Sequence, residues 1–241
     1  MLTEVERRLE ELQRQTLTQW EDIRTEYFRL IHDRHAPTML GMNINTESRA
    51  DMRIDPVVFA RESCLLSKVN PDIDTEYFDR YLKIARFTIE SDVDHSSYPK
   101  ITHPAITNAA ICDHPHYFTY RTGSSFRDPF EDSEDALPIG QPEKYLRLWM
   151  KMVERIVIRY RERSFEERDA ISIALHDTLI FLHPFDEANS RTARIHLQEI
   201  RRALGIPMII FRHSETRANK RRIKFFDRHI AKPFMARHGR I

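Results

Sequence analysis

A twelve-residue run, His183 to Arg194, concentrates the side chains of this sequence that could do chemistry. It reads HPFDEANSRTAR and contains an imidazole, carboxylates, an amide and two guanidiniums. An imidazole titrates near neutral pH and can accept a hydroxyl proton. Carboxylate oxygens can hold Mg²⁺, and guanidiniums bind phosphate oxygens in pairs. Because the run also reads as the start of a helix, which favours anions, it predicts a phosphate site suited to phosphoryl or nucleotidyl transfer.

The elements that must position this run are helices. Apolar residues recur at three- or four-residue spacing and predict helices over 143–160, 166–182 and 189–204, so the fold is expected to be mainly α. A chain of 241 residues with 41% hydrophobic composition can bury one good core. The break at residues 70–72 divides the prediction into a helical extension over 1–71 and a catalytic domain over 72–241.

The same twelve-residue run resembles the signature of the Fic family, His-x-Phe-x-(Asp or Glu)-(Gly or Ala)-Asn-(Gly or Lys)-Arg-x-x-Arg. The matching residues are His183, Phe185, Glu187, Ala188, Asn189, Arg191 and Arg194. The resemblance extends over about residues 75–226 and includes the two helices that lead into the motif. It implies a Fic-type helical bundle with a small β-hairpin flap.

The resemblance also implies an activity, because Fic proteins typically transfer AMP from Mg·ATP to a Ser, Thr or Tyr hydroxyl of a target protein. The chain is thus expected to be a protein adenylyltransferase, or AMPylase, with ATP as co-substrate and Mg²⁺ as cofactor. His183 would be the catalytic base, Glu187 the Mg²⁺ ligand and Phe185 the buried anchor of the loop. The residues expected to bind the nucleotide phosphates are Asn189, Ser190, Arg191 and Arg194.

The flap is expected between residues 102 and 142, where the helical pattern breaks. Residues 116–121 are aromatic and β-prone, Gly123 offers a turn, and residues 124–127 can return as a second strand. In the family such a hairpin docks the target by strand addition, which uses main-chain hydrogen bonds. The docking residues implied are Arg121, Thr122, Gly123, Ser124, Ser125 and Phe126.

Ser190 departs from the family pattern, because AMP-transferring members usually have glycine there. Loss of glycine removes easy access to positive φ beside the phosphates. The donor is therefore open between ATP giving AMP, ATP giving phosphate, CDP-choline giving phosphocholine and a UMP donor. A non-catalytic scaffold that binds a nucleotide or a partner is the remaining alternative.

Control of such an enzyme is expected from outside the chain. Many Fic proteins are inhibited by a helix bearing (Ser or Thr)-x-x-x-Glu-(Gly or Asn), whose Glu pairs with the second arginine. In this sequence no Glu has Ser or Thr four residues before it, so Arg194 is expected to lack that restraint in cis. The expected means of control are an antitoxin-like inhibitor acting in trans and homo-oligomerisation. The N-terminal helix, with a different sequence, is the remaining candidate for an inhibitory helix in cis.

Composition and charge limit the location and the other partners. The two cysteines, Cys64 and Cys112, are too few for a disulfide framework, and no apolar run reaches about 18 residues. A cytoplasmic protein, or one delivered into a host cell, is expected, with no membrane partner. From Arg212 onward the sequence has ten basic residues and only two acidic ones, which predicts a basic C-terminal helix. Nucleic acid is not expected as a partner, because no known binding module accompanies that charge.

Overall fold

Six α-helices make up most of the part of the chain that the computed structural model describes, which is residues 53–91, 101–113, 120 and 142–216. They are α1 (Pro56–Leu66), α2 (Thr75–Glu90), α3 (Pro104–Cys112), α4 (Pro142–Tyr160), α5 (Phe165–Leu182) and α6 (Asn189–Ala203). A short 3₁₀ helix follows at His213–Glu215. The mainly α prediction is confirmed over these ranges. The predicted flap at 121–126 and the predicted basic C-terminal helix lie outside the described residues.

The helix boundaries follow from local chemistry. The three helices predicted at 143–160, 166–182 and 189–204 agree with α4, α5 and α6 to within one residue at each end. At the start of α5, Ser164 and Glu167 form a capping box in which each side chain accepts the other residue's backbone N–H. Gly205, at φ +68°, ends α6 in the left-handed conformation that glycine adopts without strain.

Helix α6 lies at the centre of the bundle and contributes to two hydrophobic clusters. One cluster packs α4 and α5 against α6 and includes Trp149, Val153, Leu175, Leu179, Leu197 and Ile200. The other packs α1, α2 and α3 against α6 and the segment after it, and includes Phe59, Tyr81, Ala85, Ile111, Ile195 and Ile210. Almost every residue of α6 is therefore buried, three of its four arginines included.

Helix α1 belongs to this bundle, although the predicted boundary at residue 71 assigned it to the N-terminal extension. Phe59 and Cys64 of α1 are buried in the cluster that also holds Tyr81 of α2 and Ile195 of α6. The extension is described only from residue 53, so the boundary itself stays a prediction. None of the helices in the described ranges is both long and apolar enough to span a membrane.

Buried ionic groups fix the C-terminal half of α6. The Arg201 guanidinium forms an ion pair with Asp169 of α5 and donates to Ser172 Oγ at 2.8 Å and to the Pro207 carbonyl. His196 pairs with Glu199 at 2.9 Å, and Glu199 also accepts a 2.6 Å hydrogen bond from Thr102 Oγ1. These contacts connect α6 to α5, to the residues before α3 and to the chain beyond Gly205.

Candidate anion-binding and catalytic site

The loop from His183 to Ala188 connects α5 to α6 and is bounded by two left-handed residues. His183 ends α5 at φ 43°, and Ala188 precedes α6 at φ 57°. A non-glycine residue at positive φ costs of order 1 kcal/mol and persists only where its surroundings hold it. The loop is therefore held in a specific shape by the residues around it.

Asn189 closes this loop through its side-chain amide. Its Oδ1 accepts the Phe185 N–H at 3.0 Å, and its Nδ2 donates to the Phe185 carbonyl at 2.7 Å. The side chain is only 5% exposed. Asn189 thus holds the loop, and α6 begins without any side-chain cap on its first turn. The structure gives this residue a structural task beside the phosphate contact that the resemblance implies.

Two further contacts brace the loop from other elements. Asn108 of α3 donates from Nδ2 to the Glu187 carbonyl at 2.9 Å and to Thr192 Oγ1 at 3.2 Å. Phe185 is buried in the first hydrophobic cluster, and the Tyr120 ring stacks on it with 6.2 Å between ring centroids. The loop is therefore attached to α3, to the core and to Tyr120, which belongs to the predicted first strand of the flap hairpin.

Arg191 lies in the first turn of α6 and is 8% exposed. The carbon of its guanidinium is 4.6 Å from the centroid of the Tyr77 ring, a cation–π contact. Its buried Nε has no hydrogen-bond acceptor among the described residues, and none of the ion pairs in those ranges includes it. A buried charged donor without an acceptor is costly, so an anion that supplied oxygen atoms at this point would be stabilised.

Arg194, one turn later on α6, is hydrogen-bonded to α1. Its Nε donates to Ser63 Oγ at 2.6 Å, and its Nη2 donates to the Ser63 carbonyl at 2.9 Å and to Ser67 Oγ. Burial lowers the pKa of this guanidinium below its usual value. Ser63 and Ser67 of α1 therefore restrain Arg194 in the fold, and the predicted absence of an inhibitory glutamate in cis stays a prediction.

Glu187 and His183 lie near opposite ends of the loop. The Glu187 carboxylate is exposed, and it accepts a hydrogen bond from the Cys112 thiol. Burial first, and then the charge of Glu187, raises the pKa of that thiol to about 12. His183 is half-buried, as is Ser190 in the first turn of α6. In the described ranges no group of three or more His, Cys, Asp or Glu side chains is placed to hold a metal ion.

Comparison with known proteins adds no family assignment. No protein-family model matches the chain, and no curated protein matches it. The Fic resemblance therefore stays a prediction from the sequence, above all from the His183–Arg194 run.

Several residues of this site could not have been found from the sequence. Ser63, Tyr77 and Asn108 reach the His183–Arg194 run from other helices, and the hydrogen bonds of Ser63 and Asn108 join residues 79 to 131 positions apart. Each lies in a helix with no motif of its own. Only packing against α6 brings them to the site.

Proposed function

We propose that this protein is a Fic-type enzyme that transfers AMP from Mg·ATP to a Ser, Thr or Tyr hydroxyl of a target protein. The observation that carries the proposal is the Arg191 guanidinium, almost completely buried in the first turn of a helix without a side-chain cap. An ATP phosphate would supply acceptors for Arg191 Nε and for the first N–H groups of α6. The positive end of the helix dipole favours the same anion.

His183 is the proposed base, at the entry of the loop that ends beside Arg191. The target hydroxyl oxygen attacks the α-phosphorus of ATP, and its proton passes to a ring nitrogen of His183. The new O–P bond forms as the bond between the α-phosphorus and its bridging oxygen to the β-phosphate breaks, and pyrophosphate leaves. Positioning and charge neutralisation by fixed donors supply most of the acceleration in such a transfer.

Glu187 is the residue proposed to hold Mg²⁺. Its carboxylate is exposed at the loop that precedes α6, and the charges of Glu187 and Arg191 both act on the Cys112 thiol. Mg²⁺ is usually held by one or two carboxylates together with substrate phosphates, so the single carboxylate fits. When bound, the ion neutralises phosphate charge.

The target is proposed to dock on the flap at residues 121–126. This is supported by Tyr120, in the predicted first strand of the same hairpin, which stacks on Phe185 of the loop. Strand addition at this place would bring a target hydroxyl toward His183. Inhibition by a partner in trans and homo-oligomerisation stay predictions.

The test uses Mg·ATP labelled separately at the α- and γ-phosphates, with cell lysate as the source of targets. Label from the α-phosphate is expected on protein, lost in His183→Ala and retained in His213→Ala, a matched change at an exposed histidine. Label from the γ-phosphate alone would make the protein a kinase. Transfer from UTP or CDP-choline alone would show that ATP is not the donor. If no group is transferred from any of these donors, the proposal of an enzyme is overturned and the non-catalytic scaffold is the remaining alternative.

A further inference from the structure

Tyr77 and Arg80, one turn apart on α2, lie beside Arg191 without any part in the proposed transfer. The Tyr77 ring contacts two guanidiniums, with Arg191 at 4.6 Å and Arg80 at 5.7 Å from its centroid. Three buried donor atoms around this ring have no acceptor among the described residues. They are Tyr77 Oη, Arg80 Nε and Arg191 Nε.

The chemistry of α2 at this place suits an anion. Burial raises the pKa of Tyr77 well above its usual range, so the phenol stays protonated and remains a donor. Arg80 pairs with Glu76 at 2.8 Å, but the Glu76 side chain is 87% exposed. An exposed pair one turn apart on a helix contributes little, so Arg80 can exchange that carboxylate for a phosphate.

The Tyr77 ring lies in contact with both Arg80 and Arg191, and the charges of these two arginines both act on the Cys112 thiol. One guanidinium fork binds two oxygens of a phosphate, and each phosphate group of a chain presents such oxygens. A second cation on the same ring can therefore bind a neighbouring phosphate group of the same chain.

We propose that α2 completes the anion site. Arg80 and Tyr77 Oη bind a second phosphate of an oligophosphate chain held at Arg191, and the Tyr77 ring is a positioning residue that holds the Arg191 guanidinium. This inference rests on the proposed function in one respect, the assignment of Arg191 as an anion-binding residue. It gives the site a preference for oligophosphates over a single phosphate.

The test is calorimetric titration of the full chain with inorganic phosphate, pyrophosphate and tripolyphosphate, which needs no turnover. Arg80→Gln is expected to weaken tripolyphosphate binding about tenfold and to leave phosphate binding nearly unchanged. Arg86→Gln, the same charge change at an exposed position of α2, is the matched control and is expected to have little effect. A merely structural role of Arg80 would not change the ratio of the two affinities.

Tyr77 is tested in the same titrations. Tyr77→Phe keeps the ring and removes the hydroxyl, so it should weaken tripolyphosphate binding alone. Tyr77→Leu also removes the cation–π contact and is expected to weaken all three ligands, by about tenfold.

The outcomes separate this inference from the proposed function. Arg191→Gln is expected to abolish binding of all three ligands. If it does, while Arg80→Gln and Arg86→Gln bind tripolyphosphate equally well, the proposed role of α2 is overturned and the anion site at Arg191 stands. If Arg191→Gln binds the three ligands as the wild-type chain does, or if the wild-type chain binds none of them, the anion site at Arg191 and the proposed role of α2 are both overturned. Circular dichroism of each variant shows that the bundle is intact.

Discussion

Replacing Asn189 with alanine should destabilise the free protein, before any nucleotide is present. The Asn189 amide makes both of the hydrogen bonds that fix Phe185 in the loop, one to its N–H and one to its carbonyl. Alanine can make neither bond. If Asn189 only bound phosphate, as the resemblance implies, its replacement would not change the stability of the ligand-free protein. Stability without ligand therefore separates the structural role of Asn189 from its phosphate-binding role.

The magnitude follows from the burial of the groups left behind. Phe185 and Asn189 are both buried, so water does not readily replace the amide. A buried backbone group left without its partner costs about 1–3 kcal/mol, and two such groups are affected. Some relaxation of the loop will recover part of this cost. The free energy of unfolding should therefore fall by roughly 2–4 kcal/mol, a large share of the 5–15 kcal/mol typical of a domain.

The assay is urea denaturation followed by far-ultraviolet circular dichroism, without nucleotide or Mg²⁺. The matched control is Ser190→Ala at the next position, which is half-buried and whose hydroxyl has no hydrogen bond to a described residue. Its unfolding free energy should stay within about 0.5 kcal/mol of wild type, as for most substitutions away from special contacts. A loss below about 0.5 kcal/mol in Asn189→Ala would refute the structural role of the amide.

Three further perturbations test the packing around α6. Arg201→Met leaves the buried Asp169 carboxylate without its ion-pair partner and should cost about 3–5 kcal/mol in urea denaturation; a cost near zero would contradict the buried pair. Ser63→Ala removes the hydroxyl that accepts from Arg194 Nε and should cost about 1.5–3 kcal/mol by the same measurement, so an unchanged midpoint would argue against that contact. Burial alone would raise the pKa of Glu199, but its ion pair and hydrogen bonds together lower it. The stability that Glu199 contributes should be complete above its unfolded-state pKa of 4.5 and should be lost as the pH falls through its lowered folded-state pKa. In Glu199→Gln the unfolding free energy should depend less on pH over this range.

The long, periodic helices were predictable because their signals are local. Hydrophobic spacing and the stop at Gly205 fix α4, α5 and α6 to within one residue. The predicted boundary at residue 71 drew on the same kind of signal, a break at Asn70-Pro71. A local break says nothing about packing partners, and α1, on the far side of it, contributes Phe59 and Cys64 to the core around α6.

The site was predictable only as a set of residue types. The twelve-residue run predicted the base, the carboxylate and the arginines, because their spacing is visible in the sequence. It gave both arginines the same task of binding phosphate. In the fold, Arg194 is hydrogen-bonded to the serines of α1, whereas Arg191 lies on the Tyr77 ring with an Nε that has no acceptor among the described residues.

By itself, then, the sequence predicted a mainly helical protein with a candidate phosphate-binding run at the start of α6. Helix periods, caps and motif spacing depend on neighbours within a few turns, and these are written along the chain. Tertiary structure alone decided which donors are satisfied, since their acceptors come from α1, α2 and α3, many residues away. The buried Arg191 Nε is the clearest case, because its lack of an acceptor in the described part of the chain depends on every helix packed around it.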